Sequence, residues 1–115
     1  MQIIENSSCH NHYDCLLDLC KQADELVIAS PFCFPNFERF VSNVSKEDAT
    51  RKITFITTMK NDEAVEKIDS LLSFRKAMKE HGIDWKIRID NMLHGKVYIF
   101  KNNDAPFAAI ITSAN

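Results

Sequence analysis

Apolar and polar positions alternate between two periods along the chain. In residues 13–23, Leu16, Leu17, Leu19 and Cys20 recur at helical spacing, and the continuous apolar run ELVIAS follows, ending before Pro31. This predicts a helix and then a buried strand. After Pro35, Phe37, Phe40, Val41 and Val44 recur at three and four residues, as on the core face of a second helix. KITFITT, residues 52–58, is rich in β-branched residues and reads as another buried strand.

A longer helix is predicted next. Asn61 or Asp62 would cap it, Glu63 would lie in its first turn, Val65, Ile68, Leu71, Leu72 and Met78 would form its apolar side, and Gly82 would end it as a left-handed cap. DWKIRID then alternates strictly, with Trp85, Ile87 and Ile89 on one side and Lys86, Arg88 and Asp90 on the other, so it reads as a half-exposed or edge strand. Trp85 is assigned to a core or an interface. GKVYIFK and PFAAIITS are the last two strands, joined by Asn102, Asn103, Asp104 and Ala105, a composition suited to a hairpin turn. The expected architecture is α/β: a mixed sheet with helices packed on it, early strands parallel through helical crossovers, and an antiparallel hairpin at the end.

Length and composition fit one domain over residues 1–115: 45% hydrophobic and 26% charged residues suit a folded core and argue against disorder. No apolar run reaches the ~18 residues of a membrane span, and MQIIENSS lacks the features of a signal peptide, which leads to the expectation of a cytoplasmic protein without a membrane partner. Net charge is −2, with +1 from Asp84 onward and −3 before it, so composition carries no footprint of a free-standing nucleic-acid binder.

The four cysteines, Cys9, Cys15, Cys20 and Cys33, form no CxxC pair, and reduced thiols are expected. CHNHYDC sets Cys9, His10, His12 and Cys15 within seven residues, a set of zinc-ligand types. Adjacent Cys9 and His10 cannot easily share one tetrahedral centre and no second pair follows, so surface histidines and half-buried cysteines are the alternative. No metal is assigned. His81, just before Gly82, suits a helix C-terminus, where a cation meets the dipole.

The densest polar grouping lies in residues 93–115, LHGKVYIFKNNDAPFAAIITSAN. His94 and Lys96, two apart, would project from one face of a strand, and Ser113 and Asn115 share parity on the next. A hairpin turning near Asn103 brings the start of one strand beside the end of the other. Imidazole, ammonium, hydroxyl and amide would then form a cradle for a phosphoryl group, with Gly95 letting backbone approach the ligand. A polar strand end is also simply where a strand leaves the core for water.

HGKVYIFK followed by IITSAN resembles the HxK and GSxN-like elements of the phospholipase D superfamily, and is most similar to its nuclease branch, which includes restriction-endonuclease-like and helicase-associated members. The resemblance covers most of the chain in architecture and residues 94–115 in motif. It implies His94 as the nucleophile that forms a phosphohistidine, Lys96 and Asn115 as phosphate ligands, Ser113 as the hydroxyl beside them, and no cofactor. It also implies a second HxK copy whose histidine acts as general acid, which a homodimer could supply, and DNA as substrate. Phospholipases proper carry an aspartate where this chain has Lys101, which disfavours a phospholipid-modifying enzyme. Family members continue past the asparagine with a helix and an orienting carboxylate, so the chain is expected to be an N-terminal portion cut after its motif, with further domains downstream. The competing reading is a catalytically silent phosphate- or DNA-binding or dimerisation module.

Overall fold

The computed structural model describes residues 2–5, 12–31, 39, 40, 42 and 50–112. Its elements are β1 (Gln2–Glu5), α1 (His12–Cys20), β2 (Glu25–Ala29), β3 (Lys52–Thr57), α2 (Ala64–Glu80), β4 (Asp84–Ile89), β5 (Lys96–Asn102) and β6 (Ala105–Thr112). The strands form one mixed sheet in the order β1-β6-β5-β2-β3-β4. β2, β3 and β4 are parallel neighbours, whereas β5 runs antiparallel to both β2 and β6.

The five expected strands are present, and β1 is a sixth that the pattern did not predict. QIIE is short, and its strand character comes from a parallel pairing with β6, Gln2 against Ala108 and Ile4 against Ile110, across nearly the whole chain. Of the helix expected after Pro35, Arg39, Phe40 and Ser42 are helical and Phe40 is buried; Phe37, Val41 and Val44 carry no description.

The core lies on one face of the sheet. Leu26 and Ile28 of β2, Ile53 and Phe55 of β3, and Tyr98 and Phe100 of β5 point to that face and meet Leu16, Leu19 and Cys20 of α1 and Phe74, Ala77 and Met78 of α2 in one buried cluster. Strand alternation sends the intervening residues to the other face, where Glu25 and Lys101, paired across β2 and β5, form an ion pair at 3.8 Å. Lys101 therefore has a structural partner.

Two local signals act as the sequence suggests. Asn103 (φ 53°) and Asp104 (φ 65°) are both left-handed, which makes the β5–β6 connection a two-residue hairpin turn of primed type, tolerated by Asn and Asp. The turn is also tied to the α1–β2 loop, because Asn103 N donates to Asp24 Oδ2 and Asn102 Nδ2 to the Gln22 carbonyl. At the end of α2, Gly82 sits at φ 65°, its N–H donating to the Lys79 carbonyl while Ile83 N donates to that of Met78. Those two bonds are a Schellman motif, sealed by buried Ile83 against buried Met78, with His81 in the C-cap position.

The start and the faces of α2 differ from expectation. Glu63, not Asn61 or Asp62, occupies the N-cap position, held there by Thr58 and the Lys60 amide. The buried stripe consists of Lys67, Phe74, Ala77 and Met78, with Leu71 packed against it; Val65, Ile68 and Leu72 are exposed. Helical rotation explains this, since positions 67, 71, 74 and 78 share one face, while 65, 68 and 72 lie about 90–150° round from it. β4 is the edge strand its alternation implies, and Trp85 is part-exposed on it instead of being in the core.

Cys20 is a buried free thiol whose pKa burial pushes up to about 12. Cys15 is disulfide-bonded, against the expectation of reduced thiols throughout, because pairing depends on which Cβ atoms the fold brings together and not on spacing. A bonded sulfur is no zinc ligand, and Cys9 and His10 of that cluster lie outside the described residues.

Candidate functional site

Because β2, β3, β4 and β6 point one way and β5 the other, the C-terminal ends of the first four and the N-terminal end of β5 share one edge of the sheet. Open α/β sheets bind ligands beyond the carboxyl ends of their strands. His94, Gly95 and Lys96 enter β5 at this edge.

Lys96 is the first residue of β5 and pairs with Thr112, the last residue of β6. Its side chain is half-buried, with Nζ 5.6 Å from the centroid of the Tyr98 ring, and burial lowers its pKa from the ordinary lysine value. His94 precedes the strand instead of lying in it and is exposed, so strand parity does not set its direction. A Cβ built at Gly95 meets no atom within 4 Å, which leaves that backbone position open on its outer side. Ser113 and Asn115 fall outside the described residues, as does the expected convergence of all four groups.

The loop that delivers His94 is anchored by residues that motif reading passed over. Asp90 N donates to the Thr57 carbonyl, the Asp90 carboxylate accepts from Met92 N at 3.0 Å, and Asn91 Oδ1 accepts from Met59 N at 2.7 Å. These bonds join the exit of β4 to that of β3, two turns of chain ahead of Lys96. Asx-type bonds of this kind are what make Asp and Asn frequent in turns, and Asp90-Asn91 was the available signal.

A second cation stands at the same edge. Lys67 projects from the first turns of α2 and is only 7% exposed, yet its ammonium reaches four oxygens. It donates to the Pro31 carbonyl at 2.6 Å, Thr58 Oγ1 at 3.2 Å and Thr57 Oγ1 at 3.3 Å, and Glu63 Oε1 lies at 3.5 Å. Thr58 donates onward to Glu63 at 2.6 Å, and that bond, followed by the one from the Lys60 amide, lowers the Glu63 pKa. Lys67 thereby ties the segment after β2 to the segment after β3. The sequence held a signal for it, a lysine at a core-facing position of an otherwise apolar period, which the motif-centred reading did not use.

Among the described residues, no group of three or more His, Cys, Asp or Glu is arranged to hold a metal ion, and no helix is long and apolar enough to cross a membrane. No curated protein matches the chain. The family comparison does: residues 10–115 match the NgoFVII restriction endonuclease N-terminal PLD domain, and with nearly the whole chain in that match the protein belongs to this family of phospholipase D-like domains.

Proposed function

We propose that this chain is a metal-independent phosphodiesterase of phospholipase D type that cleaves DNA, with His94 as nucleophile. The observation that carries the reading is the placement of His94 and Lys96 at the sheet edge in a chain whose family is a restriction-endonuclease PLD domain. An imidazole nitrogen of His94 attacks phosphorus, the bond to the leaving oxygen breaks, and a second histidine gives that oxygen its proton. Water then attacks the phosphohistidine, passes a proton to the second histidine and displaces His94, leaving a phosphomonoester. Lys96 and Asn115 hold the non-bridging oxygens, Ser113 stands beside them, and the Gly95 backbone borders the phosphate.

These 115 residues contain one HxK, and a two-fold partner is the simplest source of the second copy, its own His94 serving as general acid. Cleavage of supercoiled DNA in excess EDTA tests this: activity is expected to persist and His94→Ala to abolish it. A divalent-metal requirement, or undiminished cleavage by His94→Ala, would overturn the proposal.

One observation favours a second reading. Among the described residues no carboxylate is bonded to His94, and an unoriented imidazole is a poor nucleophile. A silent DNA-binding or dimerisation module would bind oligonucleotide without turnover in the same assay.

A further inference from the structure

Between β4 and β5 the chain crosses the sheet edge at which the candidate site lies. β4 is the end strand and β5 stands three places away, beyond β3 and β2, so residues 90–95 pass over the exits of both in about 14 Å of lateral travel. This connection carries His94.

Its first half is tied down. Asp90 N donates to the Thr57 carbonyl at 2.8 Å, Leu93 N to the Asp90 carbonyl at 3.2 Å, and Met92 N to the Asp90 carboxylate at 3.0 Å. Asn91 Oδ1 accepts from Met59 N at 2.7 Å, and of these bonds it is the one side-chain tie between the turn and the exit of β3. That exit is itself braced: buried Lys67 donates to the Thr57 and Thr58 hydroxyls, and Glu63 accepts from Thr58 and from Lys60 N. The turn is therefore clasped to a fixed post.

Little slack remains for His94. The turn closed by Leu93 N spans less than about 7 Å between the Cα atoms of its ends, Asp90 and Leu93. At least ~7 Å of lateral travel is left for the three steps from Leu93 to Lys96, which reach about 10 Å when fully extended. Lys96 is held by its ladder pairing with Thr112. His94 is thus strung between a clasped turn and a strand, and its position follows that of the turn. We infer that Asn91 is a positioning residue for His94, fixing through the Met59 amide the turn from which the imidazole approaches phosphorus. The inference rests on His94 as nucleophile and extends that reading to a residue outside the HxK motif.

The test follows the full chain cleaving saturating supercoiled DNA in EDTA, with amide hydrogen exchange measured by NMR alongside. Asn91→Ala removes the acceptor and is expected to lower kcat ~10–100-fold with KM within about twofold, since placement is lost and binding is not. The Leu93 amide should exchange about tenfold faster or more in that variant. Asn91→Asp restores an oxygen of the same reach and should recover both. Gly82→Ala strains the end of α2 that leads into the start of β4, at the opposite edge of the sheet, and should leave kcat unchanged, which controls for general destabilisation. A kcat within about threefold of wild type in Asn91→Ala overturns the inference. So does an unchanged Leu93 exchange rate, no recovery with Asn91→Asp, or an equal loss in Gly82→Ala. His94→Ala separates the two ideas: cleavage that survives it, or none by the wild type, sinks the nucleophile and with it the catalytic role of Asn91. Cleavage lost in His94→Ala but kept in Asn91→Ala overturns this inference alone.

Discussion

Replacing Lys67 with methionine keeps the length and apolar stem of the side chain and removes only its ammonium. The loss leaves the Pro31 carbonyl, bonded at 2.6 Å, and the Thr57 and Thr58 hydroxyls without their donor in a place water scarcely reaches. Hydrogen bonds to charged groups contribute ~1.5–3 kcal/mol, and a stranded buried acceptor costs ~1–3 kcal/mol. Thr57 and Thr58 can rotate toward other acceptors, whereas the carbonyl cannot, so about 3 kcal/mol is the expected loss. With ~2.1 cal/mol/K of unfolding entropy per residue, that lowers the thermal midpoint by about 12 °C. Urea unfolding followed by far-ultraviolet circular dichroism measures it, with the slope m checked for constancy. A loss under about 1 kcal/mol at unchanged m would refute the assignment of Lys67 as the tie between the ends of β2 and β3.

Two further outcomes follow from the same structure. Gly82→Ala should cost about 1 kcal/mol in urea unfolding, all of it backbone strain at φ 65°, since a Cβ there meets nothing within 4 Å; an unchanged midpoint would contradict the left-handed cap. For Lys96, burial lowers the folded pKa, so between that value and the ordinary 10.5 the unfolded chain binds more protons and stability from this group rises with pH. Phosphate binding runs the other way, because it needs the cation: cleavage or oligonucleotide binding should fall on the alkaline side below pH 10.5, and Lys96→Arg should move that fall upward. An alkaline limb unmoved by Lys96→Arg would exclude this ammonium as the titrating group.

Chemistry confined to a few neighbouring residues was legible before folding. The Asn103-Asp104 turn, the Gly82 cap and the alternation of β4 each depend on backbone preference or on strict period two, and each appears where the pattern sets it. The HxK spacing of His94 and Lys96 was legible because a motif is local, but only Lys96 lies in β5, and His94 precedes the strand, where parity does not set its direction. Other features needed partners far away in the chain. β1 became a strand through β6, and Glu63 became the N-cap through Thr58 and Lys60. The apolar residues of α2 divided into a buried stripe and an exposed side because only one flank of the helix meets the sheet.

With the exception of β1, local sequence therefore determined which of the described segments are helices, strands and turns, since torsional preference and side-chain periodicity act within a few residues. Tertiary structure alone decided which apolar residues of α2 are core, that a lysine lies buried at the ends of β2 and β3, and that β1 pairs with β6. Burial and the pairing of backbone groups belong to contacts between distant segments, and those exist only once the sheet has assembled.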